Sequence, residues 1–268
     1  MTALEKIVFA VLVLVVAGGA YWWWKSQTPE PYPAAPVATP APAPAPAEPE
    51  PGIQHPIEQA PIASGEASKP LPQLGESDQT AADALASALP QGKLPDFIIT
   101  KLLVRHVVAT VDNLPREKVA MSLWPIKPTS GLFMVANTPD GKVIAPENSA
   151  RYALYVRYFE SLDAKKVAAT YVRLYPLFQQ AYKELGYPKG YFNDRLIAVI
   201  DHLLATPQVS GAIRLEQPKV LYEFADPALK STSAGQQILL RMGNENATKV
   251  KAKLRELRNE LARQPVKG

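Results

Sequence analysis

The apolar stretch from Ile7 to Trp24 constrains this chain more than any other feature. It contains no charged residue, and Lys6 and Lys25 bracket it. A helix of about 18 residues rises roughly 27 Å, close to the hydrocarbon thickness of about 30 Å in a bilayer. A single segment can cross that thickness only as a helix, because a helix pairs its own backbone groups. We therefore predict a transmembrane anchor over residues 1–25, with the lipid bilayer as its partner.

A cleaved signal peptide is the alternative interpretation of the same stretch. The run Ile7–Val16 has the length of a signal-peptide core, and Gly18-Gly19-Ala20 offers small residues for cleavage. Against cleavage, the first six residues carry one lysine beside one glutamate and are only weakly basic. The aromatic residues from Tyr21 to Trp24 extend the apolar stretch to a full span and are typical of membrane interfaces. These features favour the uncleaved anchor.

The charges beyond the anchor predict its orientation. Residues 26–79 contain one basic residue, Lys69, and seven acidic residues. Because basic residues stay on the cytoplasmic side of a membrane, a segment poor in them is typical of the opposite side. We expect a single-pass protein of the bacterial inner membrane, with its amino terminus in the cytoplasm and its C-terminal domain in the periplasm.

Residues 26–79 have the composition of a disordered linker. They contain 14 prolines, and Ala and Pro alternate from Ala41 to Pro46. Each proline fixes its backbone φ angle and lacks an N–H donor, which disfavours both helices and sheets. Polyproline II is the conformation favoured locally, and aliphatic residues are too sparse for a core. His55 lies in this segment, and we expect it to be neither a ligand nor a catalyst.

Residues 80–268 are long enough for one domain with its own hydrophobic core. Apolar residues at helical spacing, together with capping residues, predict a mainly α-helical, multi-helix, bundle-like domain. The predicted helices cover about 80–89, 95–111, 149–160, 163–185 and 193–205, the last of them capped by Asn193. Further helices begin after the capping residues Asp226, Ser233 and Asn244.

A small β-hairpin is predicted within this helical domain. The residues Leu132–Ala136 and Val143–Ile144 favour strands, and the sequence Thr138-Pro139-Asp140-Gly141 between them is typical of a turn. Val220–Phe224 also favours a strand. The predicted fold is therefore helical with one small β element.

The residues needed for common catalytic and metal sites are missing from the sequence. The chain has no cysteine, which excludes disulfides, thiolate nucleophiles and cysteine-based metal sites. It contains no glycine-rich phosphate loop, no G-x-S-x-G motif and no H-E-x-x-H motif. Only His106 and His202 lie in the predicted domain. We therefore predict no catalytic residue, no metal site and no cofactor.

Arginine and tyrosine residues concentrate in one part of the domain. Eight of the chain's 11 tyrosines lie between residues 152 and 191. Such side chains suit recognition of carbohydrate, peptidoglycan or protein, and the alternative is that the tyrosines border a helical core. Nucleic acid is not an expected partner of a membrane-anchored chain. The candidate binding residues are Arg151, Tyr155, Arg157, Tyr158, Arg173 and Tyr175.

The predicted last helix carries a basic face. Val250, Leu254, Leu257 and Leu261 form an apolar stripe on it, and Lys251, Arg255 and Arg258 lie on an adjacent face. One hypothesis places this face on an anionic membrane surface. The other is an ordinary solvated face.

Five sequence blocks in the domain resemble a bacterial family known only as domain of unknown function 3014, over nearly all of residues 80–268. The blocks are VATVDNLPR (108–116), SARYALYV (149–156), YVRLYPLFQQAYKELGY (171–187), FADPALKS (224–231) and LLRMGNENATKVKAKLREL (239–257). Family members similarly carry one amino-terminal span and a proline-rich linker, so the resemblance implies a bacterial envelope setting. It implies no activity, cofactor or site residue.

Two functions remain open from the sequence. The first is a membrane-anchored, non-enzymatic binding or scaffold domain in the periplasm, with an envelope protein or a cell-wall polymer as its partner. The second is an envelope enzyme that acts on a cell-wall or carbohydrate substrate. The missing catalytic residues favour the first.

Overall fold

The computed structural model of this chain describes residues 52–57 and 70–263. The predicted anchor Ile7–Trp24 and much of the predicted linker lie outside the described residues. Within them, no helix combines the length and the hydropathy that crossing a bilayer requires.

Eight α-helices make up most of the described part of the chain, which confirms a mainly helical domain. The periodic apolar residues that predict them become their buried faces. The helices are α1 (Asp78–Ser87), α2 (Leu103–Asn113), α3 (Asn148–Ser161), α4 (Ala164–Glu184), α5 (Phe192–Leu204), α6 (Pro227–Lys230), α7 (Ala234–Arg241) and α8 (Asn244–Ala262).

A small antiparallel sheet accompanies the helices. Its strands follow the order β1 (Val135–Thr138), β2 (Gly141–Ile144), β3 (Arg214–Glu216) and β4 (Glu223–Phe224). Strands β1 and β2 form the predicted hairpin, with Thr138 paired to Gly141 across the predicted turn. The sequence predicts only this hairpin and a strand near β4, so the joining strand β3 is an addition from the structure.

Helix α8 lies at the centre of the helical packing. It contacts α3, α4, α5 and α7, and Leu254, Leu257 and Leu261 of its predicted stripe are buried. Its basic face is largely engaged with the domain itself. The ammonium of Lys251 donates to the Thr206 carbonyl at 2.5 Å, and the Arg258 guanidinium donates twice to the Asp201 carboxylate, at 2.8 and 3.0 Å. These contacts argue against this face as a membrane-binding surface.

Local capping signals account for several helix starts. The Asp163 carboxylate accepts from the backbone N–H groups of Lys165 and Lys166 at the start of α4, and Ser233 and Gln236 form the predicted capping box of α7. Two predicted caps are wrong, because other partners take their side chains. Asn193 donates to the His55 carbonyl, and Asn244 donates to the Val209 carbonyl.

The predicted helix from Pro95 begins instead at Leu103. The residues before it are drawn into an extended pairing, in which Ile98 forms an antiparallel bridge with Ile126. The carboxylate of Asp78 then accepts from the backbone N–H groups of Leu102 and Leu103, at 2.7 and 3.0 Å. A side chain from α1 therefore fixes where α2 starts.

The folded domain begins before the predicted boundary at residue 80. Leu74 and Ser77 are buried, Leu74–Glu76 form a 3₁₀ turn, and α1 starts at Asp78. Residues 52–57, also assigned to the linker by sequence, lie against α5 through hydrogen bonds to Tyr191, Asn193 and Asp194. The structure therefore departs from the predicted linker at residues 52–57 and 70–79, and residues 26–51 and 58–69 lie outside the described part.

Candidate functional site

The structure separates the six predicted binding residues into different surroundings. Arg151 on α3 fastens the loop before β1 to the helix. Its guanidinium donates to the carbonyls of Ser130 and Gly131, at 3.1 and 3.0 Å, and to the Thr129 hydroxyl at 3.1 Å. A further hydrogen bond joins Arg151 to the Asn148 side-chain oxygen at 3.2 Å, so Arg151 positions a loop.

Arg157 and Arg173 are both exposed but lie on different helices. Arg157 borders a shallow pocket between α3 and the start of α8. Tyr175 is buried to 6% exposure inside the domain, and its hydroxyl donates to the Gln179 side chain at 2.8 Å. Tyr175 is therefore part of the buried packing of the domain.

Tyr155 and Tyr158 are the two predicted residues that the structure brings together at a cavity. Both lie on α3, and both contact the ring of Phe97, with ring centroids 4.6 and 5.3 Å apart. The Tyr155 hydroxyl donates to the Pro128 carbonyl at 3.1 Å. The rings therefore stand at the edge of the cavity with a fixed orientation.

This apolar cavity is the most distinctive concave feature of the described domain. It encloses about 470 Å³, within the range of about 300–1,000 Å³ of small-molecule sites. Its walls come from α1, α3, α5, α7, α8 and the segment before α2. Representative lining residues are Leu94, Phe97, Tyr152, Phe159, Leu239 and Met242, and nearly the whole lining is carbon.

Polar groups lie near one wall of the apolar cavity. Tyr152 lines it, and burial raises the pKa of the Tyr152 hydroxyl. Arg241 lies close enough to influence Tyr152 electrostatically, and burial lowers the pKa of its guanidinium. The guanidinium carbon of Arg241 stands 5.2 Å from the centre of the Phe224 ring, an arrangement typical of a cation–π contact.

A second pocket adjoins the mouth of the apolar cavity. The two share the residues Leu94, Pro95, Phe97, Tyr155 and Tyr158. Exposed Lys93 and Lys127 border this second pocket, together with Asp96. An elongated ligand could therefore place an apolar chain in the cavity and an anionic group beside the two lysines.

The structure also shows where the candidate groups for catalysis lie. His202 Nε2 stands 2.8 Å from the Ser233 hydroxyl. Ser233 is 7% exposed and accepts the Gln236 backbone N–H as the cap of α7, so its oxygen has a structural role. His106 Nδ1 is buried, and no hydrogen-bond partner for it lies among the described residues. Within residues 52–57 and 70–263, no carboxylate is hydrogen-bonded to the side chain of either histidine.

Asp112 forms the most buried charged network of the described domain. Its carboxylate, 2% exposed, accepts from Arg116 at 2.6 Å, Arg195 at 3.0 Å and the Tyr187 hydroxyl at 3.1 Å. Arg195 also donates to the Asp112 carbonyl at 2.7 Å. The carboxylate joins α2 to α5 with all its charge paired, which indicates a structural role. Across residues 52–57 and 70–263, no cluster of three potential metal-ligating side chains occurs.

Sequence patterns did not indicate the apolar cavity, for a physical reason. Its lining residues are apolar side chains at helical spacing, and such spacing predicts a buried face without saying whether that face meets another side chain or a void. Only the rings of Tyr155 and Tyr158 gave a signal, through the local density of tyrosines.

Comparisons with known proteins identify a family and no characterised relative. A family model described as "Protein of unknown function (DUF3014)" matches residues 103–258. This range contains α2 to α7 and most of α8. A search of curated proteins and a search of solved structures gave no match.

Proposed function

The chain belongs to the DUF3014 family, and we propose that its folded domain is a non-enzymatic binding domain for an amphipathic molecule with an acyl-type chain. The observation that carries the proposal is the cavity of about 470 Å³ with an almost wholly apolar lining. A chain of methylene groups gains about 0.8 kcal/mol for each group that it buries. The pocket beside Lys93 and Lys127 and the pocket beside Arg157 have linings in which polar and apolar atoms are mixed.

The mouth of the cavity supports an anionic head group on the ligand. Lys93 and Lys127 supply two positive charges beside the pocket that adjoins the cavity, against the single carboxylate of Asp96. Such charges attract an anion and orient it without binding it deeply. A fatty acid or a single-chain phospholipid has this combination of charge and chain. A glycan does not, so we do not assign the cell-wall polymer to this site.

The predicted location agrees with a lipid-like ligand. We propose that an uncleaved anchor over residues 1–25 holds the protein in a bacterial inner membrane and that the binding domain lies in the periplasm. A protein held beside a bilayer has a ready source of acyl chains. The proposal keeps the binding role favoured by the sequence, and it replaces the arginine and tyrosine surface with the apolar cavity.

A photo-crosslinking experiment tests this function on the full chain in lipid nanodiscs. A fatty acid that carries a diazirine on its chain is added, irradiated and located by peptide mapping. We expect labelled peptides from α3 and α7 that contain Tyr152, Phe159 or Leu239, and we expect unlabelled fatty acid to compete. Labelling confined to residues 1–25 would contradict the proposal.

A matched pair of variants separates the cavity from general hydrophobicity. Leu239→Phe adds volume inside the cavity and should reduce labelling of α3 by at least fivefold. Leu221→Phe makes the same change at a residue that is 75% exposed and should leave the labelling unchanged. Equal labelling of both variants would exclude the cavity as the binding site.

A further inference from the structure

The segment Gly52–Ile57 lies against the amino-terminal end of α5, more than 130 residues away in sequence. The Asp194 carboxylate accepts from two successive backbone N–H groups, that of Gln54 at 3.0 Å and that of His55 at 2.7 Å. The side-chain amide of Asn193 donates to the His55 carbonyl at 2.8 Å. The Tyr191 hydroxyl accepts the Ile57 N–H at 2.7 Å.

These four bonds recognise the backbone of the segment. The N–H groups that the domain binds are those of residues 54, 55 and 57, and residue 56 is a proline, which has no N–H to satisfy. The donors of the segment and the acceptors of the domain therefore match one to one. Two of these bonds involve a carboxylate, and bonds to charged groups are shorter and stronger than neutral ones.

The receiving side chains are held rigidly by the core of the domain. Asn193 is fully buried, and its neighbour Phe192 is 1% exposed. The Tyr191 ring packs against Tyr175, with centroids 5.4 Å apart. On the segment, His55, Pro56 and Ile57 are half-buried, and Ile57 packs against the main hydrophobic core. A preformed site on α5 thus receives both polar and apolar parts of the segment.

We propose that Tyr191, Asn193 and Asp194 form a peptide-binding site for an extended segment, and that Gly52–Ile57 is its occupant in the same chain. The site clamps a point in the middle of the predicted linker onto the domain. The intramolecular occupant has a high effective concentration at the site, so a free peptide competes poorly with it.

The clamp sets how far the domain can stand from the predicted anchor. With the clamp closed, the chain from the anchor meets the domain at Gly52; with it open, the chain meets the domain at Pro70, 18 residues later. Because an extended residue spans at most about 3.3–3.6 Å, closing the clamp removes roughly 60 Å from the covalent reach. Occupancy of the site therefore acts on the length of the tether.

Residue-resolved hydrogen exchange of the full chain in nanodiscs tests the clamp. In the wild-type chain, we expect the His55 and Ile57 amides to exchange at least tenfold more slowly than in Asp194→Asn, which converts one carboxylate oxygen into an amide donor. The control Asp140→Asn makes the same change in the exposed hairpin turn and should leave the exchange at His55 and Ile57 unchanged.

A second variant shows whether the effect of Asp194→Asn comes from a disturbed α5 helix. Gln54→Pro removes one N–H from the segment and changes nothing in the domain. It should raise the exchange rates of His55 and Ile57 while α5 keeps its protection. Unchanged protection of both amides in Asp194→Asn and Gln54→Pro would overturn the clamp. Protection that rises with protein concentration would overturn the assignment to the same chain and indicate a segment from a second copy.

Discussion

Aromatic side chains fill one region of the helical domain and border a cavity in another. Between α4 and α5, rings pack on one another in an aromatic core formed by Tyr171, Tyr175, Phe178, Tyr182 and Phe192. On the other side, rings of α3 surround the apolar cavity. Both regions are rich in aromatic residues. They differ in the helices and segments that pack against those residues.

Ring geometry shows how completely the aromatic core is filled. Phe178 and Phe192 are stacked, with centroids 5.9 Å apart and planes 2° from parallel. The rings of Tyr171 and Tyr182 also contact Phe192, with centroids at 6.5 and 5.4 Å. Two regular helices and the turn between them place these rings face to edge or face to face.

The rings of Tyr155 and Tyr158 beside the apolar cavity pack against a ring from outside the helices. Phe97 contacts Tyr155 and Tyr158 at the edge, but Phe97 comes from the irregular segment before α2. That segment pairs with residues 125–127 through backbone bonds from Ile99 to Pro125 and from Lys127 to Phe97. A segment held away by this pairing cannot pack as closely as a helix, and a space remains between it and α3. One region is therefore filled by rings, and the other keeps the apolar cavity.

The largest predicted effect is the loss of a ring from the aromatic core. Phe192→Ala removes a side chain that is 1% exposed and touches three other rings, so we expect a loss of about 3–5 kcal/mol in the free energy of unfolding. Phe159→Ala beside the cavity should cost about 1–3 kcal/mol, since its ring is half-buried and already borders a void. Urea unfolding followed by circular dichroism measures both, and equal losses would contradict the comparison.

Adding volume should also destabilise the aromatic core more than the side that holds the cavity. Leu174 and Leu239 are helical leucines with the same exposure of 3%. Leu174→Phe forces a ring into a filled region and should cost about 1–3 kcal/mol. Leu239→Phe directs the added volume toward the cavity and should change the unfolding free energy by less than about 0.5 kcal/mol. A Leu239→Phe variant as unstable as Leu174→Phe would show that the cavity is not available space.

A third pair of variants replaces two closely packed glycines, Gly190 and Gly235, by alanine. A methyl group at Gly190 would lie 2.7 Å from Tyr182 Cε1 and 3.0 Å from Tyr187 Cβ, in a stacked ring pair. At Gly235 it would lie 2.6 Å from Leu203 Cδ2, the end of a flexible side chain that lines the cavity, and 3.1 Å from the Leu114 carbonyl oxygen.

We therefore expect Gly190→Ala to lower the unfolding free energy by about 2 kcal/mol and Gly235→Ala by about 1 kcal/mol. Leu203 can turn into the cavity, whereas the Tyr182 ring beside Gly190 is buried and stacked on Tyr187. Thermal unfolding of the two variants provides the check, and the reverse order would place the tighter packing on the cavity side.

Local chemistry explains which parts of the fold were predictable from the sequence. The starts of α4 and α7 depend on Asp163 and Ser233, whose partners lie two or three residues away. The start of α2 depends on Asp78, 25 residues before Leu103. The ordered segment 52–57 depends on Asp194, 139 residues after His55. Partners two or three residues apart are visible in a short window of sequence. Partners far apart in sequence, such as Asp194 and His55, meet only when the chain folds.

The candidate site was predictable only in part, for a related reason. Tyr155 and Tyr158 do border the cavity, but the local density of tyrosines gave the same weight to Tyr175, which is buried in the aromatic core. A tyrosine contributes the same pattern on α3 and on α4. The two groups of tyrosines differ in the helix or segment that packs against them. That neighbour is distant in sequence, so the residues near each tyrosine do not indicate it.

The last matched pair concerns two hydroxyl groups inside the aromatic core. The Tyr171 hydroxyl is buried and has no hydrogen-bond partner among the described residues, and burial raises its pKa well above the ordinary value. The Tyr175 hydroxyl is also buried but donates to Gln179 at 2.8 Å. The two rings contact each other, with centroids 5.7 Å apart, so they form a closely matched pair.

Replacing each tyrosine by phenylalanine should therefore have opposite signs. Tyr171→Phe removes a buried hydroxyl without a partner and should raise the unfolding free energy by about 0.5–1 kcal/mol. Tyr175→Phe removes one of two donors to the Gln179 oxygen, the other being the Phe192 N–H at 2.9 Å, and should lower the unfolding free energy by about 1 kcal/mol. Urea unfolding near neutral pH, where both hydroxyls are protonated, isolates the hydrogen bond. A destabilised Tyr171→Phe would mean that its hydroxyl has a partner, and the aromatic core would then be more polar than the ring packing indicates.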